Sequence, residues 1–438
     1  MNKKIKFIDL FAGLGGIRIG FEKGFNKNGF QTECVLTSEI KPHAINALNE
    51  NFEHENFVGD IFDVDSNLIP DFDFLLAGFP CQPFSSGGKR QGFLDTRGTL
   101  FFEIERILRD KKPFGFILEN VEGLVRHDLR KKDDKIGQTL STILKKLSNE
   151  LDYKVEWKVI DSSEYGLPQS RKRVFIVGTK FVKPTLEYER QDPVKLSKVL
   201  EKGLKNIDSK FTKLLLKNFD VEDLYGKSIK DKRGGENNIH SWDIKLKGPV
   251  NKDQIILLNK LFKERRKKHW AKEIGIPWMD GMPLTLNQIS TFYKHKNLKG
   301  LLDDLVDKKY LKKEFPKKIV ELFSENGVKK YREYDKSKPK GYNIVTGKLS
   351  FEINKILDPN GIAPTLVATD VSKLAVPDGS GLRRLTVREG LRCFGFPESY
   401  KLNQEKAFDL LGNTVPIPII KLISDELCLI YSDNLIPV

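Results

Sequence analysis

Residues 5–16 read IKFIDLFAGLGG. Residues 5–11 are a short apolar run that reads as a first strand, and Ala12-Gly13-Leu14-Gly15-Gly16 follows as a turn. The apolar spacing of Ile17, Ile19 and Phe21 then reads as a helix. A strand, a glycine turn and a helix in that order let a backbone approach a nucleotide-like ligand closely. A lone GxGG says little, because many sheet-to-helix turns carry glycines for packing alone. The pattern also departs from G-x-G-x-x-G, so a dinucleotide is not the ligand it points to.

Residues 33–40, ECVLTSEI, read as a second strand ending in an acid, Glu39. A carboxylate there can accept hydrogen bonds from ribose hydroxyls. Pro42 opens a short helix, and Asp60 in Gly59-Asp60-Ile61 offers an acceptor for an adenine amino group. Either acid alone reads as an ordinary solvated loop residue; their placement after successive strands makes them candidates. The apolar run 72–77 is a further strand, and it leads into residues 77–92, AGFPCQPFSSGGKRQG. Cys81 stands there between Pro80 and Pro83, where a strand ends and a glycine-containing, positively charged loop begins. Chemistry in open α/β sheets collects at that edge. A lone cysteine is more often inert core, so the reading depends on its companions.

Those companions follow. Residues 114–118, FGFIL, are another buried strand, with Glu119-Asn120-Val121 at its end, so Cys81 and Glu119 fall on one edge of a parallel sheet. Residues 155–160 and 174–178 read as two more strands, separated by Gln169-Ser170-Arg171-Lys172-Arg173. Alternation puts Arg171 and Arg173 on one face. Residues 1–180 are thus a β-α repeat around a parallel sheet. Order returns after residue 380: 384–396 reads as a helix capped by Thr386, Gly412-Asn413-Thr414 is a second glycine turn, and 419–431 is an apolar helix.

The net charge of +15 is unevenly spread. Residues 1–180 carry 27 Lys+Arg against 26 Asp+Glu, residues 181–340 carry 38 against 23, and residues 341–438 carry 10 against 11. The whole excess lies in the middle, which suggests a neutral frame with a basic insert for a polyanion; a Lys-rich solvated surface is the plainer alternative. The four cysteines are far apart with no CxxC, so neither a disulfide framework nor a metal site is expected. No signal peptide and no spanning run is evident, which excludes a membrane protein and points to a cytoplasmic one.

A cysteine nucleophile, a glutamate on the neighbouring strand, two arginines, a cofactor turn with two acids and a basic insert suit one chemistry. A thiolate adds to C6 of a pyrimidine, which makes C5 electron-rich enough to take a methyl group. Glu119 could hydrogen-bond N3 and the exocyclic amine. Arg171 could hold the base O2 and the loop, and lower the Cys81 pKa. S-adenosylmethionine suits the turn, since it needs acceptors but no phosphate cradle.

With these motifs the chain resembles the DNA (cytosine-5)-methyltransferases of bacterial type II restriction–modification systems. FIDLFAGLGG (7–16), GFPCQPFS (78–85), ENV (119–121), QSRKR (169–173), RRLTVREGLRCFGFP (383–397) and GNTVP (412–416) appear in the family's order. The resemblance implies a Rossmann-like, mostly parallel α/β sheet with helices on both faces. It implies a catalytic domain at 1–180, a target-recognition domain at 181–380 and a return to the catalytic domain at 381–438. It also implies that Phe11, Ala12, Gly13, Leu14, Gly15, Gly16, Glu39, Ile40, Asp60, Ile61, Leu100, Asn413, Thr414 and Val415 hold S-adenosylmethionine, which leaves as S-adenosylhomocysteine. Cys81 would be the nucleophile, Glu119 its N3 partner, and Arg171 and Arg173 the base and loop anchors. Ser85, Ser86, Lys89, Arg90, Arg97 and Gln169 would contact double-stranded DNA. The enzyme is expected to act as a monomer without metal, nucleoid-associated when on DNA. A cognate endonuclease would share the target site without needing to bind. Two other readings stay open: an RNA cytosine-5 methyltransferase, and a catalytically silent DNA-binding relative. A thiol redox enzyme is more distant, because Cys81 has no resolving cysteine nearby.

Overall fold

A computed structural model describes residues 4–79, 100–131, 133–232, 237–278, 281–324, 327–346 and 351–435. Its first elements, in chain order, are β1 (Ile5–Leu10), α1 (Gly16–Lys27), β2 (Thr32–Ser38), α2 (Pro42–Asn51), β3 (Phe57–Val58), β4 (Phe74–Gly78), α3 (Leu100–Lys111), β5 (Gly115–Val121), α4 (Gln138–Lys145), β6 (Lys154–Asp161) and β7 (Lys172–Thr179). The strands pair in the order β3-β2-β1-β4-β5-β7-β6. The central strands are apolar almost throughout because both faces of the sheet are covered. Along β4 and β5, Leu75, Ala77, Phe116 and Leu118 point into one layer, shared with Ile104 and Leu108 of α3 and Ile143 of α4. Phe74, Leu76 and Ile117 point into the other, shared with Phe21 and Phe25 of α1 and with Ile420 and Ile423 of the C-terminal helix Ile417–Leu435. The period of two thus sorts one run of apolar residues into two cores.

The expectation of a parallel sheet holds for β3 through β5. It fails at the far edge, where β7 runs antiparallel to both β5 and β6. Residues 162–171 between β6 and β7 are too few for a helical crossover, so those strands pair as neighbours on a short return. Strand order reverses between β1 and β4, which creates the crevice where ligands bind in such sheets.

The chain divides into two compact units, the first made of Met1–Glu201, Asp358–Ser372 and Leu385–Val438, the second of Lys202–Leu357 and Lys373–Arg384. Residues 358–372, expected in the basic insert, belong to the first unit. Backbone bonds explain why: Ala363 N–H donates to the Pro168 carbonyl at 2.8 Å and Ser170 N–H to the Ala363 carbonyl at 2.9 Å. The second unit has an apolar core around Trp242, Leu257, Trp270 and Leu302 and another around Phe211, Ile229, Ile353 and Leu382. Trp242 and Trp270 therefore serve packing, while Trp278 is 45% exposed.

Helix α1 lies against the C-terminal helix at Gly20 and Gly24, two residues without side chains. A Cβ on Gly24 would stand 2.6 Å from the Ser424 Cβ and 3.0 Å from the Asp425 nitrogen and the Lys421 carbonyl. Two of those atoms are backbone and cannot swing aside. Gly24→Ala is therefore expected to lose about 1–3 kcal/mol of stability, against the helix-propensity gain of about 1 kcal/mol. Gly59→Ala, with nothing within 4 Å of its Cβ position, is the control, expected to stay within about 0.5 kcal/mol of the parent. Urea unfolding of the two variants measures the difference.

Candidate active site

The glycine turn after β1 is built on left-handed backbone. Phe11 has φ 55°, Gly13 57° and Gly15 68°. For Phe11 that conformation costs free energy, and such strain concentrates at ligand sites. Ala12 N–H donates to the Ser38 carbonyl at 3.0 Å, and Gly15 N–H to the Ala12 carbonyl at 2.7 Å. Glu39 braces the turn from β2. One carboxylate oxygen accepts the Gly13 N–H at 2.8 Å, and the other accepts the N–H groups of Ile40 and Lys41 at 2.8 and 2.9 Å. A carboxylate offers about four acceptor positions, so three are used and roughly one remains for a ligand hydroxyl. The expectation of Glu39 as a ribose acceptor gains a second role: it shapes the turn.

Among the described residues the space over the turn is open: a Cβ on Gly13 would meet nothing nearer than the Phe11 carbonyl at 3.9 Å. Ile40 at the rim is 62% exposed, a free apolar face for a purine. Asp60 is exposed and spends one oxygen on the Phe62 N–H at 3.1 Å. Ile61, Leu14 and Val415 are buried, so a ligand would meet their backbone rather than their side chains. Leu100 is half-buried at the start of α3. Residues 413–415 pack on the turn: the Thr414 Oγ1 lies 2.8 Å from where a Gly16 Cβ would stand. Asn413 is exposed and its side-chain amide donates to the Asp409 carbonyl at 2.7 Å. Asp9, unremarked in the sequence, is fully buried in β1. Neither of its side-chain oxygens has a hydrogen-bond partner among the described residues, and burial pushes its carboxyl up to about 7. Open backbone, acceptors at the rim and an apolar face fit an adenosine ligand such as S-adenosylmethionine.

The second edge is the end of β5. Gly78 of β4 pairs in register with Glu119. The Glu119 carboxylate is 3.0 Å from the Arg173 Nε. Burial raises the Glu119 pKa above the ordinary glutamate value, and the guanidiniums of Arg173 and Arg171 oppose that rise. Asn120 is a residue whose role the sequence did not reveal. Its amide donates to the Phe79 carbonyl at 3.1 Å while its oxygen accepts the Val121 N–H at 2.8 Å. It ties the end of β5 to the chain two residues before Cys81. Cys81, Ser85, Ser86, Lys89, Arg90 and Arg97 lie outside the described residues. Beside Glu119 opens a cavity of about 310 Å³, lined by Val121, Glu122, Ser170, Lys172, Arg173 and Thr365 among others.

Two expected site residues lie in the interior. Arg171 is 1% exposed. Its Nη1 donates to the Leu366 carbonyl at 3.2 Å, and its Nη2 to the Gly412 and Thr414 carbonyls, both at 2.8 Å. These bonds clamp the returning backbone. Gln169, expected on DNA, is fully buried. Its amide donates to the Cys393 carbonyl at 3.2 Å, and its oxygen accepts the Leu366 N–H at 3.0 Å. It too braces the returning chain.

The fold and this sheet edge are those of an S-adenosylmethionine-dependent methyltransferase. A prophage-encoded Escherichia coli protein described as a DNA modification methyltransferase superposes with a TM-score of 0.53 at 23% identity, covering 98% of this chain and 99% of its own. The Entamoeba histolytica methyltransferase EhMeth gives a TM-score of 0.51 at 15% identity, covering 99% and 100%. Both show the fold alone. The model of the C-5 cytosine-specific DNA methylase family matches residues 5–428. The type II methyltransferase M.NlaIV of Neisseria lactamica is 56% identical over 97% of this chain and 99% of its own. M.BanI of Aneurinibacillus aneurinilyticus is 40% identical over 97% and 96%. The chain belongs to the C-5 cytosine-specific DNA methylases. No helix of the described residues is long and apolar enough to cross a membrane.

The Glu119–Arg173 pair makes a signed prediction. Removing Arg173 takes away a charge that lowers the Glu119 pKa, so Arg173→Ala should hold the Glu119 proton to higher pH. The limb of the kcat/KM profile that disappears in Glu119→Gln should move upward in Arg173→Ala, with a fall in rate of roughly tenfold or more. The same sign applies to folding. A raised carboxyl favours the folded state below the ordinary glutamate value, and that contribution is lost as pH rises through the folded value. Methyl-transfer kinetics against pH, on parent and both variants, tests it.

Proposed function

We infer that this chain methylates C5 of a cytosine within a defined sequence of duplex DNA, by covalent catalysis from Cys81. One observation carries the reading. The β4–β5 register sets the strand that leads to Cys81 beside Glu119, next to the open glycine turn. The other cysteines support it by contrast: Cys34, Cys393 and Cys428 are buried, and burial pushes their thiols up to about 11, 12 and 11. None is poised as a thiolate.

In the reaction, the Cys81 sulfur bonds to C6 of the ring. Glu119, whose pKa burial raises against the pull of Arg173 and Arg171, would donate a proton to N3 and take up the charge that develops there; Arg173 orients its carboxyl. The turn with Glu39, Ile40 and Asp60 would hold S-adenosylmethionine, whose methyl group would pass to the electron-rich C5 with S-adenosylhomocysteine leaving. Loss of the C5 proton then expels the Cys81 thiolate and restores the ring. Neither C5 nor C6 is reachable in this way within the stack, so the cytosine leaves the duplex. Asn120 holds the Phe79 carbonyl, two residues before Cys81.

The second unit, which holds most of the chain's positive excess, is assigned to DNA recognition. Its length favours sequence-specific duplex DNA over RNA. The relatives' type II designation supports a role in protecting host DNA from a restriction endonuclease of the same specificity. The enzyme needs no partner subunit in this reading and works in the cytoplasm on the nucleoid.

Duplex DNA carrying 5-fluorocytosine at the target should trap the protein, because fluorine at C5 cannot leave as a proton does. The adduct is expected to map to Cys81. Cys81→Ala should bind the DNA, form no adduct and transfer no methyl group. Peptide mapping of the trapped complex decides; an adduct elsewhere, or turnover by the variant, removes Cys81 from the mechanism.

A further inference from the structure

Strands Lys317–Ser324 and Gly327–Tyr334 of the second unit pair with each other over eight residues and with no other strand among the described residues. Residues 317–322 and 330–334 of the ribbon are not buried, and none of them belongs to either core of the unit. It is tied down at its base, where Asp335 N–H donates to the Pro316 carbonyl at 2.8 Å and the Tyr334 hydroxyl donates to Glu314 at 3.0 Å. An isolated two-stranded hairpin is marginal in water. This one nevertheless exposes Ile319, Leu322, Tyr331 and Tyr334, by 38 to 54% each. The register puts Ile319 and Tyr334 on one face and Leu322 and Tyr331 on the other, so each face presents exposed apolar groups of the kind found at contact surfaces.

The charge around the ribbon says what it contacts. Residues 308–340 carry 12 Lys+Arg against 5 Asp+Glu, a surplus of +7 in 33 residues. A second protein copy with the same surplus would be repelled, whereas a polyanion is drawn in. Dimensions agree: two strands about 4.8 Å apart with their side chains fit a major groove about 12 Å wide, which admits a two-stranded ribbon.

The register separates the two faces. On one, Lys318 pairs with Glu333 at 3.2 Å and Val320 stands opposite Tyr331. On the other, Lys317 lies over the Tyr334 ring at 5.1 Å and Lys330 pairs with Glu321 at 2.6 Å. Between them Arg332 stands opposite Ile319. Lys317, Lys318 and Lys330 have partners in the fold; Arg332 is exposed and makes no hydrogen bond, ion pair or ring contact among the described residues. A guanidinium held on a ribbon and left uncommitted matches the bidentate contact to guanine O6 and N7.

We propose that this ribbon enters the DNA major groove with the Ile319–Arg332 face toward the bases, and that Arg332 reads a guanine of the target sequence. The proposal rests on the reading of the second unit as the DNA-recognition unit. Arg332 is a specificity residue and touches no reacting atom.

The test uses the full-length protein, with 5-methylcytosine mapped at base resolution in mixed-sequence duplex DNA. Arg332→Ala should melt as the parent does. It should lose about tenfold to hundredfold in kcat/KM on the parent's target through KM, and accept other bases at one guanine position. Lys318→Ala, on the opposite face, should weaken all sequences about equally and lower the salt dependence. An Arg332→Ala variant with the parent's rate and sequence logo overturns the proposal. So does a parent that sediments as a dimer and becomes monomeric in Leu322→Lys, since the ribbon would then be a protein interface. A parent that methylates no DNA at all would instead refute the underlying reading, and is distinguished by its own arm.

Discussion

The first unit is assembled from three separate stretches of chain, and one buried guanidinium holds them together. Arg171 sits at the entry to β7 and reaches carbonyls of Leu366, Gly412 and Thr414, some two hundred residues further on. Its position is set from behind by Asp161, which accepts the Arg171 N–H at 3.1 Å. Burial works against the charge of Asp161, but donors from Ser163, Ser170 and Arg171 outweigh it and hold its carboxyl below the ordinary range. On another side the Arg171 guanidinium lies 5.1 Å from the centre of the Phe394 ring. A buried cation is tolerated only when its donors are satisfied, so the returning segments must be in place for the site to exist. The turn at residues 413–415 then closes on the start of α1 as a consequence.

This arrangement divides labour between two arginines that the sequence presents as equivalent. Arg173, two residues on, pairs with Glu119 and lowers its pKa against the effect of burial. Arg171 clamps the returning backbone. Asn120 and Glu39 show the same economy: each is next to a group assigned to chemistry and spends hydrogen bonds on shaping a loop or turn. The active edge is thus braced by polar side chains whose ligands are the chain itself.

Much of this was readable from residues alone. Apolar runs gave β1, β4 and β5, and the motif order carried Cys81, Glu119 and the glycine turn. Thr386 does cap a helix, in a reciprocal box with Glu389. What could not be read was partnership. Nothing local distinguishes Arg171 from Arg173, or marks Gln169 as buried, because their partners lie about two hundred residues away. The antiparallel β7 escaped because strand polarity depends on the length of a link rather than on strand composition. The close approach of α1 at Gly20 and Gly24 to the C-terminal helix was not read either, because its partner lies some four hundred residues on. In the second unit the charge excess was plain, yet its ribbon was not: the pattern KKIVELF mixes lysines with apolar residues that face no core.

The most direct measurement is base-resolution mapping of 5-methylcytosine after incubating the protein with S-adenosylmethionine and mixed-sequence duplex DNA. Methylation at C5 of cytosines confined to one short sequence, and absent from RNA offered alongside, is the predicted result. Label in RNA alone, methylation at another ring position, or no transfer from a folded protein would contradict the account.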